Sequence, residues 1–172
     1  MFDPTIFENL KVAVENVVYD LDNLDERIIV TGRTDQMDMA IMSRAFTLKF
    51  DLVPKTGASA EIRIEAFLKD LAAEILELPG EQAGCALSLR FYTKVTKIPE
   101  QCRRISNLLQ VIWEPQVEPV QTLSCVYSEE PLVYNNTIEL KFPHKINEDN
   151  MSDIPNLVEY MIRTLEELAQ IT

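Results

Sequence analysis

Apolar residues recur along this chain at two spacings, about 3.6 residues and two residues, and the switches between them mark out helices and strands. Ile6, Phe7, Leu10, Val14, Val17, Val18 and Leu21 repeat at helical spacing. Asp3 stands as N-cap and Pro4 at the first helical position, where its missing N–H is harmless. The acidic stretch 20–26, where the apolar rhythm lapses, ends this helix. The β-branched run 27–31 predicts a strand, and residues 32–38 predict a turn. Phe46, Leu48, Phe50 and Leu52 then alternate with Thr47, Lys49 and Asp51, the period of a half-buried strand. A loop over 54–59 leads to a third strand, with Glu61, Arg63 and Glu65 on its polar face.

Helical spacing returns through Leu68, Leu71, Ala72, Ile75 and Leu76 and stops at Pro79-Gly80. Leu87, Leu89, Phe91 and Val95 define a fourth strand, with Ser88, Arg90, Tyr92 and Lys94 on its opposite face. Pro99 opens a third helix with the stripe Cys102, Ile105, Leu108, Leu109 and Ile112, closed by Trp113-Glu114-Pro115. Two β-rich runs, 120–127 and 132–142, read as a hairpin, with the turn either at 128–131 or at Asn135-Asn136. A polar loop over 143–152 precedes a last helix bearing Leu157, Val158, Met161, Ile162, Leu165 and Leu168.

This order, αβββαβαββα, predicts an α+β fold: a mixed, mainly antiparallel sheet of about six strands with four helices covering one face. With 172 residues, 47% of them apolar, and no Gly/Ser-rich linker, a single domain over residues 1–172 is expected. The hairpin-then-helix pattern occurs twice, near 43–78 and 120–170, without residue-level self-similarity.

Composition narrows the setting. The amino terminus lacks the pattern of a secretory signal, and no apolar run approaches the ~18 residues of a spanning helix, so a soluble cytoplasmic protein is expected. Asn135-Asn136-Thr137 then has no consequence as a glycosylation sequon. Cys85, Cys102 and Cys125 are odd in number and fit neither a disulfide framework nor a zinc pair, so buried free thiols are expected. A net charge of −12 repels phosphate backbones and anionic bilayers, which argues against nucleic-acid and membrane partners.

Against that acidity stands one basic island: Arg90, Lys94, Lys97, Arg103 and Arg104, opposed only by Glu100. Strand phase turns Arg90 and Lys94 away from the core, and Arg103 and Arg104 are expected nearby on the exposed face of the following helix. Such a cluster could hold an anion or an acidic partner beside the helix start at Pro99; the competing reading is a solvated face paired with surface acids.

Other constellations lead less far. Residues 20–26 are rich in carboxylates, but Leu24 occupies the fifth position of any calcium loop and no glycine makes its sharp turn. Met37, Met39 and Met42 are expected to pack in the core, with an adaptable interaction edge as the second reading and Cu(I) disfavoured for want of His or Cys. Arg44, in phase with Phe46, implies either a bulge or an arginine on an otherwise apolar face. His144 is the sole histidine and has no nucleophile motif to serve, although Cys85 or Cys125 could meet it in space. The four glycines form no phosphate-binding fingerprint, and pairs such as Glu129-Glu130 and Glu166-Glu167 are read as surface charge. Trp113 reads as core with its indole N–H on a carbonyl, or else as an interface anchor.

In element order and acidity the chain is similar to bacterial type III secretion chaperones, which dimerise and hold extended segments of partners. The helix over 99–113 departs from that pattern and no motif matches residue by residue, so the similarity implies a binding role and transfers no site. The resulting expectation is a non-enzymatic protein-binding or adaptor module, a homodimer through an edge strand or an apolar helix face, without catalytic, metal or cofactor residues. The alternative is a small-ligand or anion-binding domain, with or without enzymatic activity, centred on the basic island.

Overall fold

A computed structural model describes residues 5–127 and 130–172. Helix α1 (Thr5–Asn23) is followed by β1 (Ile28–Asp38), β2 (Ser43–Leu52), β3 (Ser59–Ala66), α2 (Leu68–Leu76) and β4 (Ala86–Val95). Then come α3 (Ile98–Ile112), β5 (Pro119–Ser124), β6 (Tyr134–Lys141), a 3-10 turn (Glu148–Asp153) and α4 (Ile154–Ile171). The expected helix and strand order is therefore found. The strands form one sheet in the order β1-β2-β3-β4-β6-β5, and every neighbouring pair is antiparallel. Asp3, Pro4 and Glu129, part of the sequence reading, lie outside the described residues.

The alternation in β2, β3, β4 and β6 sorts their side chains into two faces. Phe46, Phe50, Ile62, Leu89, Phe91 and Ile138 are fully buried on one, under Phe7, Leu10 and Val14 of α1 and Val158, Met161 and Leu165 of α4. Each large side chain removed from water in this way contributes roughly 2–3 kcal/mol before the cost of ordering it. The other face is polar: Lys49, Glu61, Arg63, Arg90 and Glu139 lie there, and no helix crosses it among the described residues.

Three local expectations are corrected. First, β1 does not stop at residue 31; it runs to Asp38, and the turn lies over 39–42. Pairing slips between Val30 and Gly32, so the helix-facing residues change from Ile28 and Val30 to Arg33, Asp35 and Met37. This bulge breaks the period-two pattern that marks a continuous strand. The turn itself is closed by Asp38, whose carboxylate accepts the N–H groups of Ala40 (2.9 Å) and Ile41 (3.3 Å), with Met42 left-handed at φ 55°.

Second, Asn135 and Asn136 are strand residues of β6, not a turn. Asn136 is buried beneath the helices, where its Nδ2 donates to Gln121 Oε1 at 2.7 Å, and Gln121 Nε2 in turn donates to Cys102 O and Ser106 Oγ on α3. This polar thread fixes α3 over the β5–β6 edge. Third, of the three thiols only Cys85 is buried; Cys102 is half-buried and Cys125 exposed.

Arg44 is where its strand phase places it, on the helix-facing side of the sheet. Its guanidinium lies 4.5 Å from the Phe7 ring centroid and pairs with Glu8 (2.6 Å) and Asp35 (3.0 Å), while Lys11 bridges the same two carboxylates. The bulge and the arginine thus belong to one arrangement: the bulge in β1 carries Asp35 to the face on which β2 presents Arg44.

Candidate functional site

The basic island is divided by the fold. Arg90 and Lys94 are on the open face of β4, and α3 covers the opposite face through buried Ile105 and Leu109. The sheet therefore stands between the strand pair and the exposed Arg103 and Arg104, and the shared face expected from strand phase does not form. Helix spacing fixes which side of α3 is exposed, but only the β3–α2–β4–α3 path decides the layer in which α3 lies.

Arg90 is also committed elsewhere. The register places Lys49, Glu61, Arg90 and Glu139 opposite one another across β2, β3, β4 and β6, a ladder of alternating charge. Arg90 Nε donates to Glu139 at 2.8 Å, and its guanidinium lies 3.9 Å from Glu61. Burial would raise the Glu139 carboxyl, but the hydrogen bonds from Arg90 and Lys141 outweigh it and hold it below its ordinary value. Tyr92 donates to Glu61 at 3.2 Å and lies under the Lys49 ammonium, 4.3 Å from the ring centroid. Lys94 borders a shallow notch of about 180 Å³ with Tyr92 and Asn135. Lys97 caps α3 at the backbone, its N–H bonded to Gln101 Oε1 at 2.8 Å.

The remaining candidates are occupied in ordinary ways. Asp22 accepts the Val30 N–H at 2.9 Å, tying the acidic exit of α1 to β1. The Cys85 thiol is pushed up to about 12, first by burial and then by Asp70 and Glu74, so it is not a thiolate nucleophile. His144 is exposed.

Two other surfaces stand out instead, one of them including the methionines of the β1–β2 turn whose second reading is an interaction edge. At one end of the sheet, α2 buries Leu71 and Ala73 but leaves Leu68, Ile75 and Leu76 exposed, flanked by exposed Phe67 and Leu78. Leu76 is 64% exposed, in a helix whose apolar stripe predicts core contact. The pairing Met37↔Arg44↔Ala66 puts the β1–β2 turn at the same end, where Met37, Met39, Ile41 and Met42 are exposed rather than packed in the core. Exposed large apolar side chains gathered toward one end of the sheet are unusual on a surface with no partner.

The second surface is a cleft of about 500 Å³ between the C-terminal end of α3 and the N-terminal end of α4. Trp113 is buried at its wall, as its core reading predicts, with Phe142 edge-on at 6.1 Å and Tyr160 at 5.9 Å between ring centroids. The indole N–H donates to Thr164 Oγ1 at 3.1 Å, not to a carbonyl, and Thr164 donates onward to Tyr160 O at 2.7 Å. This fixes the Trp113 ring against α4. Glu114 and Asp153 are on the rim with Asn150 and Asn156, and none of the lining residues is basic.

Comparison of the chain with known protein families, with curated proteins and with solved structures finds no match. No helix among the described residues is long and apolar enough to cross a membrane.

Proposed function

We propose that this protein is a non-enzymatic, cytoplasmic protein-binding module that acts as a homodimer. The observation that carries this reading is the exposed apolar end formed by Leu68, Ile75 and Leu76 of α2 together with the methionine-bearing β1–β2 turn. Leaving such side chains in water forgoes the ~25 cal/mol per Å² that burial returns, and a partner recovers it. A two-fold axis beside α2 sets the stripe against its own copy, apolar on apolar, as an isologous contact requires. The methionines at the turn supply an adaptable surface at the same end of the sheet, suited to a second, less regular partner.

Light scattering across a concentration series tests this. The expected mass is that of a dimer, and Leu68→Glu with Ile75→Glu converts it to a monomer with unchanged far-ultraviolet circular dichroism. A monomeric wild-type chain up to about 100 μM would overturn the proposal.

A further inference from the structure

We infer that the cleft at Trp113 is a binding site for an organic cation, an alkylammonium or guanidinium group. Three aromatic rings line it: Tyr160, 46% exposed, and Phe142, both packed against Trp113, which is only 7% exposed and is held by Thr164. Aromatic faces attract a cation through their quadrupole, more so where water is partly excluded, and the Tyr160 ring is the one most open to a ligand here. The rim adds two carboxylates, Glu114 and Asp153, and no compensating base lines the cleft. Neither carboxylate is within 4 Å of a lysine or arginine among the described residues.

The helix termini do not reverse this sign. The C-terminal end of α3 brings its negative pole to the cleft and α4 its positive pole, each about half a charge, so the two offset. The α4 amino end is further occupied by the preceding 3-10 turn, with the Ile154 N–H bonded to Met151 O. The two carboxylates therefore set the net charge of the site. An apolar floor topped by carboxylates suits a cation with a hydrocarbon stem, whereas a small metal ion needs an oxygen cage rather than ring faces. The volume accommodates a whole lysine or arginine side chain or a free amine of similar size. This inference rests on the cleft's own walls and stands whether or not the chain dimerises.

Trp113 is the only tryptophan, so its fluorescence reports on this cleft directly. Titrations with tetramethylammonium, spermidine and a capped lysine- and arginine-containing peptide are compared with 3,3-dimethylbutanol, a neutral isostere of choline. The expected result is a saturable emission change with at least one cation at up to about 10 mM, and none with the alcohol. Saturation by the small amines points to a free ligand, and saturation by the peptide alone to a side chain of a partner. Binding should weaken about tenfold or more in Glu114→Gln/Asp153→Asn and in Tyr160→Leu, each checked for folding by circular dichroism. No saturable response to any cation, an equal response to the alcohol, or unchanged affinity in both variants would overturn the assignment.

Discussion

Arg44 and Asp35 are joined across the first hairpin by two hydrogen bonds, Nε to Oδ1 at 3.1 Å and Nη2 to Oδ2 at 3.0 Å. Both lie on the helix-facing side of the sheet, where a charged pair costs desolvation unless its hydrogen bonds are complete. Glu8 and Lys11 complete them from α1, and the Phe7 ring covers the guanidinium. Arg44→Ala leaves Asp35 and Glu8 with Lys11 alone and should cost about 2 kcal/mol in urea unfolding, as expected for hydrogen bonds to charged groups.

The same network sets an acid limit. Burial would raise the carboxyls of Asp35 and Glu8, but the hydrogen bonds from Arg44 and Lys11 prevail and hold both below their ordinary values. A carboxyl lowered in the folded state contributes stability above its unfolded pKa, and that contribution is lost as pH falls through the folded value. Unfolding free energy should therefore decline from about pH 4 downward, and less steeply in Arg44→Ala, when urea midpoints are measured across pH 2.5–6.

Thr164 is fully buried and accepts the Trp113 indole N–H. Thr164→Val keeps the volume and leaves that donor without its acceptor, which should cost about 1–2 kcal/mol and alter the Trp113 emission maximum. Thr164→Ser restores the acceptor and should recover the emission.

The divided basic island makes unequal demands on its arginines. Arg90→Ala leaves Glu139 with Lys141 alone and Glu61 with Tyr92 alone, and should destabilise by about 1 kcal/mol. Arg103→Ala and Arg104→Ala, on the exposed side of α3, should stay within about 0.5 kcal/mol by the same denaturant measurement.

Thiol reactivity follows burial. Iodoacetamide followed by peptide mass spectrometry should label Cys125 first in the folded protein, and Cys85 only after denaturant is added, because its thiol is both buried and pushed up to about 12.

Period and phase were enough to read the α+β class, the element order and the inward face of β2, β3 and β4. Each of those depends on neighbours two to four residues apart. Arg44 was legible as an anomaly for the same reason: one charged residue in phase with Phe46, Leu48 and Phe50. The continuation of β1 was not, because a bulge inverts the phase on which such a reading relies. The basic island was visible as a cluster in sequence. Its division depended on which face of the sheet α3 crosses, a matter of chain path rather than of local spacing.

The candidate sites separate along the same line. The apolar stripe of α2 was in the sequence as Leu68, Ile75 and Leu76, but stripes turned toward a core and toward solvent look alike until the rest of the chain has packed. Trp113, Phe142 and Tyr160 are far apart along the chain and share no spacing. They meet only because β6 ends beside the junction of α3 and α4. Local stereochemistry thus determined the elements of this protein, while long-range packing alone decided which faces stayed open and which side chains gathered there.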